Sequence, residues 1–476
     1  MWSLIFVVIS PALAWNTNAT DTLYPEEVPT KPYYQGYQLP VGSKHATPRN
    51  IEYGGYNYCS MPHPHIDTYE LPAAILNGSV RGSMAGLTYI QRHQKRTSYH
   101  TYQDEDIRYD CSELVPFLFG ENRDSTGLLN AAIPVHDYVY TPDSNPYVSS
   151  GYVPHGSCQF PQLTIGGLED GFQHGRDLWN VYGDKMGIIP AVPSLDHIWL
   201  RRSNKDLTAQ TAGGVLRGLW PNHNETLPIH QQRAEVDTIG SNYPCEKRDK
   251  LKKDLKKTDI WKEHDEFMVP VLDELHKTVF GESDYKYEKW SDTFQSRLCN
   301  GYPLPCANST SCASGNAAAQ VFSGEDWEFY QQYIADPNAA EYARLKVGLL
   351  VGEIIDQLKE TVYNHSSVVY RHYFAHDGDL APMATTLGLQ TMKQPGMGIN
   401  IAVELWKVEA VDDNESEQIP LPPITNQNEH YVRVLWAGAP IRSKLGNLEW
   451  IKFDEFVDLW SKSVPIDIVE ECKVTK

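Results

Sequence analysis

The chain has 476 residues, 41% of them hydrophobic, enough for one large domain with an elaboration or two to three smaller ones. Asp and Glu number 61 against 41 Lys and Arg, a formal net charge of −20. Such a surface repels nucleic acid and anionic lipid, so nucleic acid is excluded as a partner and any anionic ligand needs a local cationic pocket.

The chain opens with MWSLIFVVISPALA, an apolar run ending in the small-x-small triplet Ala12-Leu13-Ala14. Residues 1–14 are read as a cleaved secretory signal, because the run falls far short of the roughly 20 apolar residues a spanning helix needs. No membrane span is expected. Six Asn-x-Ser/Thr sequons, at Asn18, Asn77, Asn224, Asn308, Asn364 and Asn414, fit a secreted glycoprotein, free or held at a cell surface or wall. Eight cysteines in an oxidising compartment favour disulfides over zinc; the close trio Cys299, Cys306 and Cys312 suggests a locally stapled loop. Nothing calls for a metal or other cofactor, and the sequence leaves the oligomeric state open.

Residues 15–83, rich in Tyr, Pro and Gly, hold no lasting period and read as an extended segment over a folded body; His63 and His65 within it read as surface histidines. Strand-like runs follow at LTYIQRH, HIWLRRS, VVYRHYFAH, NIAVELWKV and YVRVLWAG. Helical patterns separate them, one with Leu168, Phe172, Gly175, Trp179 and Tyr182 on a single face. This alternation predicts an α/β sheet with helices on its faces, drawn from residues 84–204 and 341–476. Residues 205–340 turn mostly helical and charged, and are expected to form an insertion or cap. The lysines of 252–257 alternate with Asp and Leu and read as a solvated helix face.

Ligands of open α/β sheets bind at the carboxyl ends of strands. Arg92-His93 ends the first body strand and His376-Asp377 ends a later one, so the two pairs meet if those strands are neighbours. The guanidiniums of Arg92 and Arg96 offer forked donors to phosphate, and a histidine between them can act as nucleophile. Phosphoryl transfer requires mainly positioning, cationic stabilisation and an acid for the leaving oxygen, a role open to Asp377.

The order of these blocks resembles the histidine phosphatase superfamily, in its acid phosphatase and phytase branch. Residues 92–98, RHQKRTS, stand for its R-H-G-x-R-x-P, and QLTIGGLEDGFQHGRDLWNVY is similar to its Q-L-T helix. LRRSNKDLTAQTAGGVLRGLWP resembles its R-S-T-x-x-x-R-T block, AHDGDL its late H-D pair, and ELWKV with YVRVLWAGAPI its closing hairpin. The Tyr-rich prelude is most similar to divergent secreted fungal members. The resemblance, spanning roughly residues 84–445, implies a three-layer α/β sandwich, phosphoglycerate mutase-like, with a mostly parallel central sheet and a mainly helical cap. It implies His93 as the phosphorylated nucleophile, Arg92, Arg96 and His376 as phosphate ligands, and Asp377 as proton donor.

Three departures stand out. Gln94 replaces a glycine, Ser98 a proline, and Leu207 the third phosphate-binding arginine. Losing one charged clamp costs a few kcal/mol, or roughly two to three orders of magnitude in rate, unless another cation replaces it. Lys95, Lys205 and Arg202 are the candidates. The expectation is a secreted acid phosphatase acting on a small phosphorylated substrate. The alternative is a catalytically impaired glycoprotein of the same fold serving as a binding or surface protein; a mutase-like phosphotransferase fits a secreted chain poorly.

Overall fold

The computed structural model describes Lys44 and residues 57–100, 105, 107–114, 139, 144–149, 156–280, 287–308, 310–409 and 429–474. All five strand-like runs of the sequence enter one sheet of seven strands. In chain order the strands are β1 (Arg81–Arg92), β2 (Ile198–Arg202), a small separate hairpin of β3 (Cys306–Asn308) and β4 (Ser311–Cys312), β5 (Tyr370–Ala375), β6 (Asn400–Glu409), β7 (Glu429–Trp436), β8 (Ala439–Pro440) and β9 (Ile451–Lys452). The large sheet runs β2-β5-β1-β6-β7-β8, with β9 on the side of β7. Pairing is parallel across β2-β5-β1 and antiparallel from β1 through β6 to β7.

Alternate residues of the strands feed two separate cores, as the period of two requires. Ile90, Tyr373, Ile401, Val403 and Val434 face one side. Tyr89, Leu200, Phe374, Ala402 and Leu435 face the other. The second side is covered by α1 (Ile165–Leu178) and α2 (Asp206–Leu219). Next in chain order come α3 (Glu246–Leu255), whose Leu251 packs with Leu345 and Leu349 on the first side, and then α4 (Asp259–Leu275), α5 (Tyr287–Cys299) and α6 (Gly315–Tyr330). The first side is covered by α7 (Ala339–Val362), α8 (Asp377–Thr386) and α9 (Phe453–Ser461). The architecture is therefore the expected α/β one, helices on both faces of a central sheet.

Helix α1 departs from the expected packing face. Phe172 is 38% exposed, while Gly167, Gly171 and Gly175 are buried. Gly171 and Gly175 form a seam against α2, whereas Gly167 lies on the Lys95 carbonyl: a β-carbon on Gly175 would lie 2.0 Å from the carbonyl oxygen of Val215, and one on Gly218 2.1 Å from that of Phe172. Backbone-to-backbone approach of this kind moves the apolar side chains to the flanks of the contact, which a hydrophobic-face reading does not anticipate.

Helices α4, α5 and α6 build a core of their own around Met268, Leu275, Trp290, Phe294 and Phe322, the helical cap expected in this part of the chain, whereas α2 lies in the layer against the sheet. The cap is bound to the segment before β1 by the Cys59–Cys299 disulfide and by the Tyr58 hydroxyl, which donates to Asp326. Cys306–Cys312 is the local staple, and Cys299 does not join it. Cys111–Cys158 and Cys245–Cys472 complete the pairing. No helix among the described residues is long and apolar enough to cross a membrane.

Candidate functional site

The carboxyl ends of β2, β5 and β1 lie side by side. Arg92 pairs with Ala375 in the β1–β5 register, and the His93 amide donates to the Ala375 carbonyl at 3.1 Å. Ser203, just past β2, donates its amide to Phe374 of β5. The two reactive pairs and Ser203 thus share one rim. They line an open cavity of about 320 Å3 together with Arg96, Tyr99, Asn204, Lys205, Ile239, Gly240, Asn242, Lys346, Gly378 and Asp379.

His93 is buried, and its Nδ1 lies 3.0 Å from the carbonyl oxygen of Gln94. With Nδ1–H donating there, the tautomer is fixed and the Nε2 lone pair is left for chemistry at the cavity. Burial, then the charges of Arg92 and Arg96 and the nearby His376, hold this imidazole well below its usual pKa. It stays neutral, and so nucleophilic, into the acid range.

Arg92 Nη2 sits 2.9 Å from Asp377 Oδ2, and its Nη1 donates to the Pro395 carbonyl. Arg96 Nη1 sits 2.8 Å from Asp292 Oδ1 of α5, and its guanidinium lies over the Tyr99 ring. The Nε atoms of both arginines are buried and have no hydrogen-bond partner among the described residues. Asp292 also accepts from the Ser98 hydroxyl and the Tyr99 and His100 amides. Ser98, standing where the resemblance has proline, is therefore part of the mount that aims Arg96.

His376 caps α8. Its Nε2 lies 2.9 Å from the Ser203 hydroxyl, while Asp379 accepts from the His376 and Gly240 amides. Burial lowers the His376 pKa, against the opposing pull of Asp379 and Asp377. For Asp377 burial acts upward, but Arg92, Arg96 and His376 outweigh it and bring the carboxyl below its ordinary range.

Gln94, in the place of a glycine, is accommodated by its surroundings. Its amide donates to Thr211 Oγ1, its side chain lies 3.2 Å from His174 Nδ1, and it packs beneath Gly398. Gly398 has φ +72°, and a β-carbon there would come within 2.8 Å of the Gln94 amide oxygen. His174 in turn reaches the Tyr89 hydroxyl and stacks on His63 at 3.9 Å, and His63 bonds Asp177. The expectation that His63 lies on the surface is thus corrected: it is buried, and its acidic partner comes from α1, far away in sequence. His65 is half-buried and faces the same carboxylate.

Of the three cations considered as substitutes for the missing arginine, the structure brings one to the cavity. Lys95 is fully buried against Asp170, and Arg202 turns back to the Ser203 carbonyl; neither lines the site. Lys205, at the N-cap of α2, does. Leu207 is buried and does not line the cavity. Lys346, Asp292, Asp379, Ser203 and Asn242 were missed in the sequence. Asp379 lay within the quoted AHDGDL and Ser203 within the RRS block, but Lys346 sits mid-helix with no local signal. Asn77, Asn224, Asn308 and Asn364 are exposed; Asn18, Asn414 and the leader 1–14 lie outside the described residues. The grouping of His264, Asp265 and Glu328, close enough to share an ion, lies on α4 and α6 and not at this cavity.

Several known proteins are similar to this chain. Counting factor 60 of Dictyostelium discoideum is 25% identical over 365 residues, covering 74% of this chain and 81% of its own length. Rat 2-phosphoxylose phosphatase 1 is 22% identical over 299 residues, 61% of this chain and 57% of that protein, so the chain spans little more than half of it. Human testicular acid phosphatase is 24% identical over 316 residues, 60% of this chain and 70% of that protein. Among solved structures, Hafnia alvei phytase in its apo form superposes with a TM-score of 0.51 at 11% identity, covering 85% of this chain and all of that one, a likeness of fold. The histidine phosphatase superfamily (branch 2) matches residues 86–437, from the first strand of the sheet to the end of β7, and the chain belongs to that family.

Proposed function

We propose that the protein is a secreted acid phosphatase that cleaves small phosphomonoesters through a phosphohistidine. The observation that carries this reading is His93: a buried, neutral imidazole with Nδ1 anchored on a carbonyl and Nε2 free, between two arginines and beside Asp377. The Nε2 lone pair attacks phosphorus as the P–O bond to the ester breaks. Asp377 protonates the departing oxygen, and Arg92, Arg96 and His376 hold the charge on the equatorial oxygens. In the second half a water attacks phosphorus, Asp377 takes its proton, and the P–N bond breaks to release inorganic phosphate and restore His93.

The apolar, signal-like run of residues 1–14, the sequons and the disulfides support action outside the cell. The binding-protein alternative rested on Gln94 and Leu207. Gln94 has a packed and hydrogen-bonded place, and two lysines line the cavity that lacks the third arginine.

The purified protein, assayed on p-nitrophenyl phosphate from acid to neutral pH beside His93→Ala, tests the reading. Turnover in acid that the substitution lowers by at least about three orders of magnitude is expected. Turnover that survives the substitution removes His93 as nucleophile, and none in either protein on several esters returns the chain to a binding role.

A further inference from the structure

We infer that Lys346, from the middle of α7, is the third phosphate-binding cation of this site, with Lys205 as a weaker outer contact. The inference rests on the phosphatase reading for its role in turnover, but not for its role in anion binding. Each arginine of the cavity already has a carboxylate: Asp377 for Arg92, Asp292 for Arg96. Asp379 is taken up by two backbone amides. Among the described residues neither lysine ammonium has a hydrogen-bond or ion-pair partner, so the cavity keeps two cations whose charge is not matched by direct contact.

Lys346 is the better placed. Its Cε lies 4.0 Å from where a β-carbon on Gly378 would stand, which sets the side chain beside the first turn of α8, next to Asp377. The turn of α7 that carries it is fixed, because the Ser241 and Tyr243 hydroxyls both donate to the Lys346 carbonyl. The charged groups facing it are Asp379 and Asp377 of α8 and Arg248 and Lys252 of α3, and burial weakens its hold on the proton. A half-buried ammonium kept near, but out of contact with, carboxylates is suited to an incoming anion that supplies the missing acceptors.

The position of the charge also differs from that of Leu207. A leucine in the first turn of α2 leaves that wall of the cavity without a guanidinium, and Lys346 approaches from α7, in the helical layer on the opposite face of the sheet. An ammonium is a point charge with three rotatable donors, not a planar fork. It holds a phosphoryl group with less constraint on the orientation of its ester.

Calorimetric titration of the full-length protein with inorganic phosphate tests this directly, with Lys346→Met, Lys346→Arg and Lys205→Met beside the wild type. Lys346→Met is expected to weaken phosphate binding by about tenfold or more and to lower kcat/KM on p-nitrophenyl phosphate by a similar factor or greater. Lys346→Arg should restore binding to within about threefold, a rescue that a packing role would not give, and Lys205→Met should cost about two- to threefold. Thermal melting without phosphate checks that the variants fold. A folded Lys346→Met that binds phosphate as wild type does overturns the inference and leaves the phosphatase reading intact. Lys346-dependent binding without turnover on any ester does the reverse, and a wild type that binds no phosphate overturns both.

Discussion

Arg92 Nη2 lies 2.9 Å from Asp377 Oδ2, so the residue proposed to bind phosphate and the residue proposed to donate the proton are each other's partner. A bound phosphate dianion competes for Arg92 and sets negative charge beside the carboxyl, and both effects raise the Asp377 pKa on binding. In the free protein that pKa is below the ordinary value. The profile of kcat/KM, which reports the free protein, should therefore begin to fall at lower pH than the profile of kcat. Asp377→Asn should lower kcat by about 10²- to 10⁴-fold on an alkyl phosphate and much less on p-nitrophenyl phosphate, whose leaving group needs little protonation. Profiles flat from acid to neutral would count against Asp377 as the acid.

Asp292 should behave as the positioning residue of Arg96. Asp292→Asn is expected to raise KM about tenfold with a smaller change in kcat, since the guanidinium remains but loses its mount. Burial acts to raise the Asp292 pKa, but Arg96 and the donors of Ser98 and His100 bring it far below the ordinary carboxyl range. A depressed carboxyl stabilises the fold above its unfolded pKa and loses that contribution as pH falls through the folded one. The wild type should thus melt above Asp292→Asn by the most at neutral pH, with the difference shrinking as pH falls below the ordinary carboxylate range, as thermal melts at several pH values would show.

Gln94→Gly restores the residue of the resemblance but empties a packed pocket. Loss of the side chain beside His174, with the added backbone freedom, should destabilise the protein by about 1 to 3 kcal/mol in denaturant titrations. Activity should change by less than about tenfold, because the His93 anchor is the carbonyl of residue 94 and not its side chain.

Glu325 of α6, which accepts from the Ser291 hydroxyl, carries the opposite linkage. Burial, then Asp377, Asp326 and Glu328, raise its pKa well above the ordinary value of 4.5. Burial likewise pushes Asp326 up to about 6. Between the unfolded and folded pKa values the folded state binds more protons, so these groups lower stability as pH rises. Glu325→Gln should melt higher than wild type at neutral pH, with the difference shrinking toward pH 4.5. A constant difference across that range would remove Glu325 as a titrating group.

Much of the fold was legible because strands announce themselves locally. Each of the five runs carries β-branched and aromatic residues, and two of them end on the reactive pairs that the parallel register then joins. What stayed hidden was set by tertiary contact. The glycine seam of α1 reads as an absence of signal, although it decides which face is buried. His63 looked solvent-bound because Asp177 reaches it from another element. Lys346 is one lysine among many on a long helix until α8 is laid beside it. Lys95 looked available beside His93, yet its ammonium is spent on Asp170.

The in-register pairing of β1 with β5 separates the architecture of the site from the length of chain between its halves. His93 and His376 are brought together by backbone hydrogen bonds of adjacent strands, and the cap carried by the intervening chain has a core of its own. Insertions or deletions in the cap away from Asp292 can reshape what enters the cavity while the reacting atoms keep their places. By contrast, a single residue added to either strand shifts the register and turns every side chain beyond it to the other face. Diversity in such a chain is thus free to accumulate in the cap, while length is frozen in two strands.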